Sequence, residues 1–132
     1  MNYKKITVRP ISGAMGAEIS GVDLSQRLDN KTFDEIHQAL LENLVIVFHD
    51  QTLNPDECKM FARKFGSLEP YPFVEGLSDH PEIFEIRKEP DEKRNFGGKW
   101  HSDMSFTNTP PMGTMLYACL LYTSPSPRDV EE

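Results

Sequence analysis

Hydrophobic and polar positions alternate at the start of the chain. In Ile6-Thr7-Val8-Arg9-Pro10 every second side chain is apolar and the run stops at proline, which predicts a short strand. Gly13, Gly16 and Gly21 punctuate the next stretch, and Ala17-Glu18-Ile19-Ser20 between them reads as a second strand. The period then lengthens. Phe33, Ile36, Leu40, Leu41 and Leu44 recur at offsets 0, 3, 7, 8 and 11, which predicts a helix over 31–44 with these residues on one face. Thr32 followed by Glu35 has the form of a capping box, with Asn30 an alternative cap. Leu44 to Phe48 is continuous and β-branched, the pattern of a strand buried on both faces. Asn54, Pro55 and Glu57 supply a cap, a first helical residue and a box partner for a second helix. Phe61, Ala62 and Phe65 form its apolar side, and Gly66 ends it.

Beyond residue 66 the pattern is weaker. Residues 67–81 are loop-like, with Pro70, Pro72, Gly76 and Pro81. Ile83 to Arg87 predicts a strand, 88–99 a charged exposed connection, Trp100 to Phe106 another strand, and Thr114 to Leu120 a last one. Two flanking helices and several strands make the class α+β, mainly β. Tyr122 to Asp129 is a Ser/Pro segment that does not suit a packed core, so residues 120–132 read as an atypical tail after a portion spanning 1–119.

Composition narrows the function classes. Leu, Ile, Val and Phe make up 32 of 132 residues, enough for a core. The net charge of −7 and the absence of a Lys/Arg run leave no basic stripe for tracking phosphates, so nucleic acid is not the expected partner. The longest apolar run, Leu44 to Phe48, falls far short of a membrane span, and no apolar signal region follows Met1. A cytoplasmic location is the expectation. Cys58 and Cys119 form no C-x-x-C pair and read as small hydrophobes.

His101-Ser102-Asp103 is the motif that carries chemistry. On an extended strand the two outer side chains point the same way, and an imidazole with a carboxylate can hold one divalent ion. A second histidine from elsewhere would complete a two-His-one-carboxylate facial triad. The motif alone is weak, since this composition produces an accidental H-x-D about one time in four. A histidine hydrogen-bonded to a neighbouring carboxylate is the competing reading. Trp100 and Phe106, flanking the motif, read as core anchors. His37, His49 and His80 have no sequence context that argues for a third ligand. Gly97-Gly98-Lys99 lacks the rest of a phosphate-loop fingerprint, and no G-x-S-x-G elbow is present.

The stretch Trp100-His101-Ser102-Asp103-Met104-Ser105-Phe106 with Thr109-Pro110-Pro111 resembles the metal-binding segment of the taurine dioxygenase family, which includes the 2,4-dichlorophenoxyacetate dioxygenases (TauD/TfdA). Gly16 to Leu24 is similar to that family's G-A-x-I-x-G-x-D-L element. Val45 to Gln51 resembles its buried strand and turn, and Phe61 to Gly66 its A-x-x-F-G helix end. The likeness implies the N-terminal part of a double-stranded β-helix, or jelly roll. It implies an Fe(II)- and 2-oxoglutarate-dependent dioxygenase, with O2 as cosubstrate, that hydroxylates a small, anionic organic molecule. His101 and Asp103 would be metal ligands, and Tyr71 and Phe73 candidates for the substrate pocket. A homo-oligomer of the full-length protein is compatible with it.

This chain also departs from the family pattern. The family's third ligand, a later histidine, and the arginine that pairs with 2-oxoglutarate are expected beyond residue 132, so the chain reads as an inactive N-terminal fragment. The G-G-D-T element does not follow Ala118, and residues 120–129 resemble translated adapter sequence. Thr123 therefore does not take the place of the cosubstrate threonine. Glu69 to Pro72 and Gly97-Gly98 stand where taurine-type members carry substrate-binding histidine and asparagine, which argues against a sulfonate pocket. A non-catalytic small-molecule or metal-binding jelly-roll module, and a zinc hydrolase site, are the alternatives.

Overall fold

The two alternating runs pair with each other. Strands β1 (Thr7–Pro10) and β2 (Ala17–Ser20) are antiparallel, with Val8 opposite Ile19 and Arg9 opposite Glu18. The reversal between them is closed by the Ile11 N–H donating to the Gly16 carbonyl at 2.9 Å. Gly16 sits at φ +95°, where a side chain would be strained. The computed structural model describes residues 2–70, 75–86, 91, 93, 99–101 and 106–118. Its contacts divide the chain into two units, Met1–Leu68 and Glu69–Glu132.

In the first unit, helix α1 (Asn30–Asn43) carries the chain back so that β3 (Ile46–Phe48) lies parallel to β2, with Phe48 opposite Ile19. The sheet order is β1-β2-β3, a mixed sheet, and helix α2 (Pro55–Arg63) follows. Period two aligns Val8, Ile19 and Phe48 across the sheet on one face. The core cluster includes Ile6, Ile19, Leu24 and Leu28, with Ile36 and Ala39 from α1 and Phe61 from α2. Phe61 meets Phe48 and Phe65 edge-on, with ring centroids 5.7 and 5.3 Å apart.

α2 starts as its sequence predicts. The Asn54 side chain accepts from the Glu57 N–H at 2.8 Å, and the Glu57 carboxylate accepts from the Asn54 N–H at 2.9 Å. α1 does not. Its cap is Asp29, whose carboxylate accepts from the Thr32 N–H at 2.7 Å, so neither Thr32 nor Asn30 has that role. The apolar face also differs. Ile36 and Ala39 are buried, whereas Leu41 and Leu44 are exposed. Five residues turn the helix by about 500°, placing Leu41 roughly 140° from Ile36. Leu44 has left the helix altogether, at φ 69°. The strand expected over 44–48 is therefore shortened to Ile46–Phe48, and these residues are half-buried rather than buried on both faces. β3 lies at the end of the sheet order, which leaves one of its sides without a strand among the described residues.

In the second unit, residues 77–82 form a tight turn within 75–86. Leu77 and His80 form an isolated bridge, and the Leu77 N–H donates to the Ile83 carbonyl at 2.7 Å. A Cβ on Gly76 would collide with the Pro81 backbone, which accounts for glycine there. The strands expected at 83–87, 100–106 and 114–120 are not formed over their described residues, 83–86, 100–101 and 106, and 114–118. Alternation gives these segments strand character, but a strand exists only where a neighbour takes up its amides and carbonyls. Trp100 and Phe106 are exposed, not core anchors. Cys119 and residues 120–132 lie outside the described residues.

Candidate metal-binding site

His101 follows Lys99 and Trp100 outside any helix or strand, and it is exposed. Its Nδ1 lies 2.6 Å from the backbone carbonyl oxygen of Lys99. Asp103, and the two candidate pocket residues Tyr71 and Phe73, lie outside the described residues. Among the described residues, no three His, Cys, Asp or Glu side chains converge in a way that could hold a metal ion. No described helix is long and apolar enough to cross a membrane.

One polar cluster of the first unit lies on the sheet face opposite Val8 and Ile19. Arg9 and Glu18 stand directly across from each other on β1 and β2, and the Glu18 carboxylate accepts from the Arg9 guanidinium. Its other oxygen lies 2.7 Å from Nε2 of His49, just past β3. The Arg9 hydrogen bond first, and the His49 bond second, hold the Glu18 carboxyl below the usual carboxylate range. This cluster lines an open groove with Ser20, Asp50 and Gln51. His49 thus has a carboxylate partner that the linear sequence hides, because register across the strands brings the two together over a separation of 31 residues.

Two of the sequence elements that carry the family likeness are bound to each other. The Ala17 N–H donates to the Val45 carbonyl at 3.0 Å. The Gln51 side chain accepts from the Leu24 N–H at 2.8 Å and donates to the Val22 and His49 carbonyls, both at 3.1 Å. Gln51 therefore fastens the end of the Gly16–Leu24 element to the exit of β3. Glu35, expected in a capping box, instead accepts from the backbone amides of Lys4, Lys5 and Ile6 at 2.9–3.3 Å. Partial burial pushes its carboxyl upward, but the amides outweigh that and leave it below the usual value. Tyr3 donates to Glu42 at 2.6 Å, and burial together with that carboxylate raises the phenol to about 12. His37, on α1, stacks on Phe33 and meets Phe65 edge-on.

The family model described as "Taurine catabolism dioxygenase TauD, TfdA family" matches residues 7–121. The chain belongs to this family. An alkylsulfatase of Acinetobacter baylyi is 34% identical over 119 residues, covering 89% of this chain and 37% of that protein. An alpha-ketoglutarate-dependent sulfate ester dioxygenase of Pseudomonas putida is 31% identical over 113 residues, covering 85% of this chain and 36% of its own length. Among solved structures, a taurine dioxygenase from Burkholderia xenovorans superposes with a TM-score of 0.56 at 34% identity, covering 59% of this chain and 28% of that structure. The chain thus spans little more than a third of the length of the curated relatives it matches. The W-H-S-D segment at 100–103 lies within the matched range.

Proposed function

We propose that this chain carries two metal ligands, His101 and Asp103, of an Fe(II)- and 2-oxoglutarate-dependent dioxygenase that hydroxylates a small, anionic organic substrate. The observation that carries the reading is the family match over residues 7–121, which contains the W-H-S-D segment. The donor set fits. An imidazole nitrogen and a carboxylate oxygen belong to the ligand class that leaves positions open on non-haem iron. A backbone carbonyl at the other ring nitrogen of His101 is the usual outer partner of a metal-bound histidine.

When bound, Fe(II) with 2-oxoglutarate and O2 supplies the oxidative decarboxylation that yields succinate and CO2 and hydroxylates a C–H bond. The part of this chain is to hold and orient. His101 and Asp103 fix the ion, and Tyr71 and Phe73 shape the substrate side. The first unit, with its mixed sheet and helices, belongs to a jelly-roll dioxygenase domain whose portion here is 1–119, with 120–132 outside it. The names of the Acinetobacter and Pseudomonas relatives make organic sulfate esters the first substrates to screen.

Metal titration tests the ligands. Co(II) or Fe(II) binds the chain, and His101→Ala or Asp103→Ala weakens that binding at least about tenfold. Unchanged affinity in both variants refutes the assignment. Because only two of three protein ligands are assigned within these 132 residues, the chain alone turns over no 2-oxoglutarate. Succinate release by the purified chain would sink that part of the proposal.

A further inference from the structure

We propose that the backbone carbonyl of Lys99 is a positioning group for His101, holding its imidazole as the Nδ1–H tautomer and so presenting Nε2 as the metal-binding nitrogen. His101 Nδ1 and the Lys99 oxygen are 2.6 Å apart, within hydrogen-bond distance. A carbonyl oxygen only accepts, so Nδ1 must carry the hydrogen. A neutral imidazole has one ring N–H, which leaves the lone pair on Nε2.

His49 supplies the contrast within the same chain. There Nε2 faces the Glu18 carboxylate at 2.7 Å, and an ionised carboxylate also only accepts. The neutral ring of His49 is therefore the Nε2–H tautomer, with its lone pair on Nδ1. The two histidines are set oppositely, each by the oxygen beside it. A histidine whose lone pair is already placed needs no change of tautomer when a metal ion arrives. The group responsible belongs to the main chain, so the side chain of Lys99 is dispensable for this role.

The inference rests on the reading of His101 as a metal ligand, and one experiment separates the two. Long-range proton–nitrogen NMR is recorded on the 132-residue chain labelled with 15N-histidine, at a pH well above the ordinary histidine value of about 6.5. Signals of His101 are identified by their loss in His101→Gln. The expected pattern is a protonated Nδ1 and a bare Nε2 for His101, the reverse for His49, and no change at His101 in Lys99→Ala. A protonated Nε2 at His101, or the averaged mixture of free histidine, overturns the proposal. Zn(II), a diamagnetic probe, is then added. A shift at Nε2 with Nδ1–H retained supports the proposal, and loss of Nδ1–H overturns it. No response of either nitrogen to Zn(II) counts against the metal reading alone, because the metal-free spectrum has already decided the role of Lys99.

Discussion

Ile36 is the largest wholly buried side chain among the described residues, and it tests whether α1 and the sheet share one core. Ile36→Val removes one carbon and Ile36→Ala removes three. At about 0.8 kcal/mol per buried methylene, the transfer losses are about 0.8 and about 2.4 kcal/mol. Incomplete collapse around the void adds to the second, which brings it into the range of about 2–5 kcal/mol. The first unit ends at Leu68, and a core of that size rarely supplies more than about 3–5 kcal/mol. Ile36→Val should therefore remain folded with a lower urea midpoint, and Ile36→Ala should be largely unfolded without denaturant. Far-ultraviolet circular dichroism is the suitable probe. Trp100 is fully exposed, so its emission is a poor probe of burial. A cost below about 1 kcal/mol for Ile36→Ala would refute this packing, because a residue with 0% exposure cannot then be held as described.

Two further outcomes rest on hydrogen bonds of the same unit. Asn54→Ala removes the cap of α2 and should cost about 1 kcal/mol in urea unfolding, while Asn54→Asp should cost little. Glu35 has a folded-state carboxyl below its ordinary value of about 4.3, so its contribution is complete above that value and is lost as pH falls through the lower folded one. In an NMR titration the amides of Lys4, Lys5 and Ile6 should move together with one midpoint below about 4.3, and Glu35→Gln should abolish the common transition. Separate midpoints would contradict a single carboxylate serving all three.

Local signals were the legible ones. The Asn54-Pro55-x-Glu57 start of α2 depends on residues within one turn, and the structure matches it atom for atom. β2 coincides with its predicted range because alternation and flanking glycines act over four residues. Glu35 shows the limit. Its residue type and spacing from Thr32 suit a capping box, yet amides about 30 positions away compete for the carboxylate and win. The pairing of Glu18 with His49 was hidden for the same reason, since it requires the parallel register of β2 and β3. Leu44 was misplaced because apolar spacing does not reveal where a helix ends, and Leu41 because it lies about 140° around α1 from buried Ile36. The His101–Asp103 pair was proposed from strand alternation, a weak signal by itself, and strengthened by family likeness. Its neighbours Trp100 and Phe106 show that aromatic character alone does not locate a core.

The mixed order of the sheet also sets a timetable for its assembly. β1 and β2 close at Pro10 and Ala17, seven positions apart, whereas β2 and β3 meet at Ala17 and Ile46, 29 positions apart. A fourfold longer closure costs about 1.2 kcal/mol more in chain entropy. A hairpin forms in about 1–10 μs. A ribosome adding about 5–20 residues per second needs seconds to pass from Ser20 to Phe48. For that interval the nascent hairpin shows the inner edge of β2, the one β3 will later cover. The time of greatest exposure to wrong partners is therefore written into the length of α1.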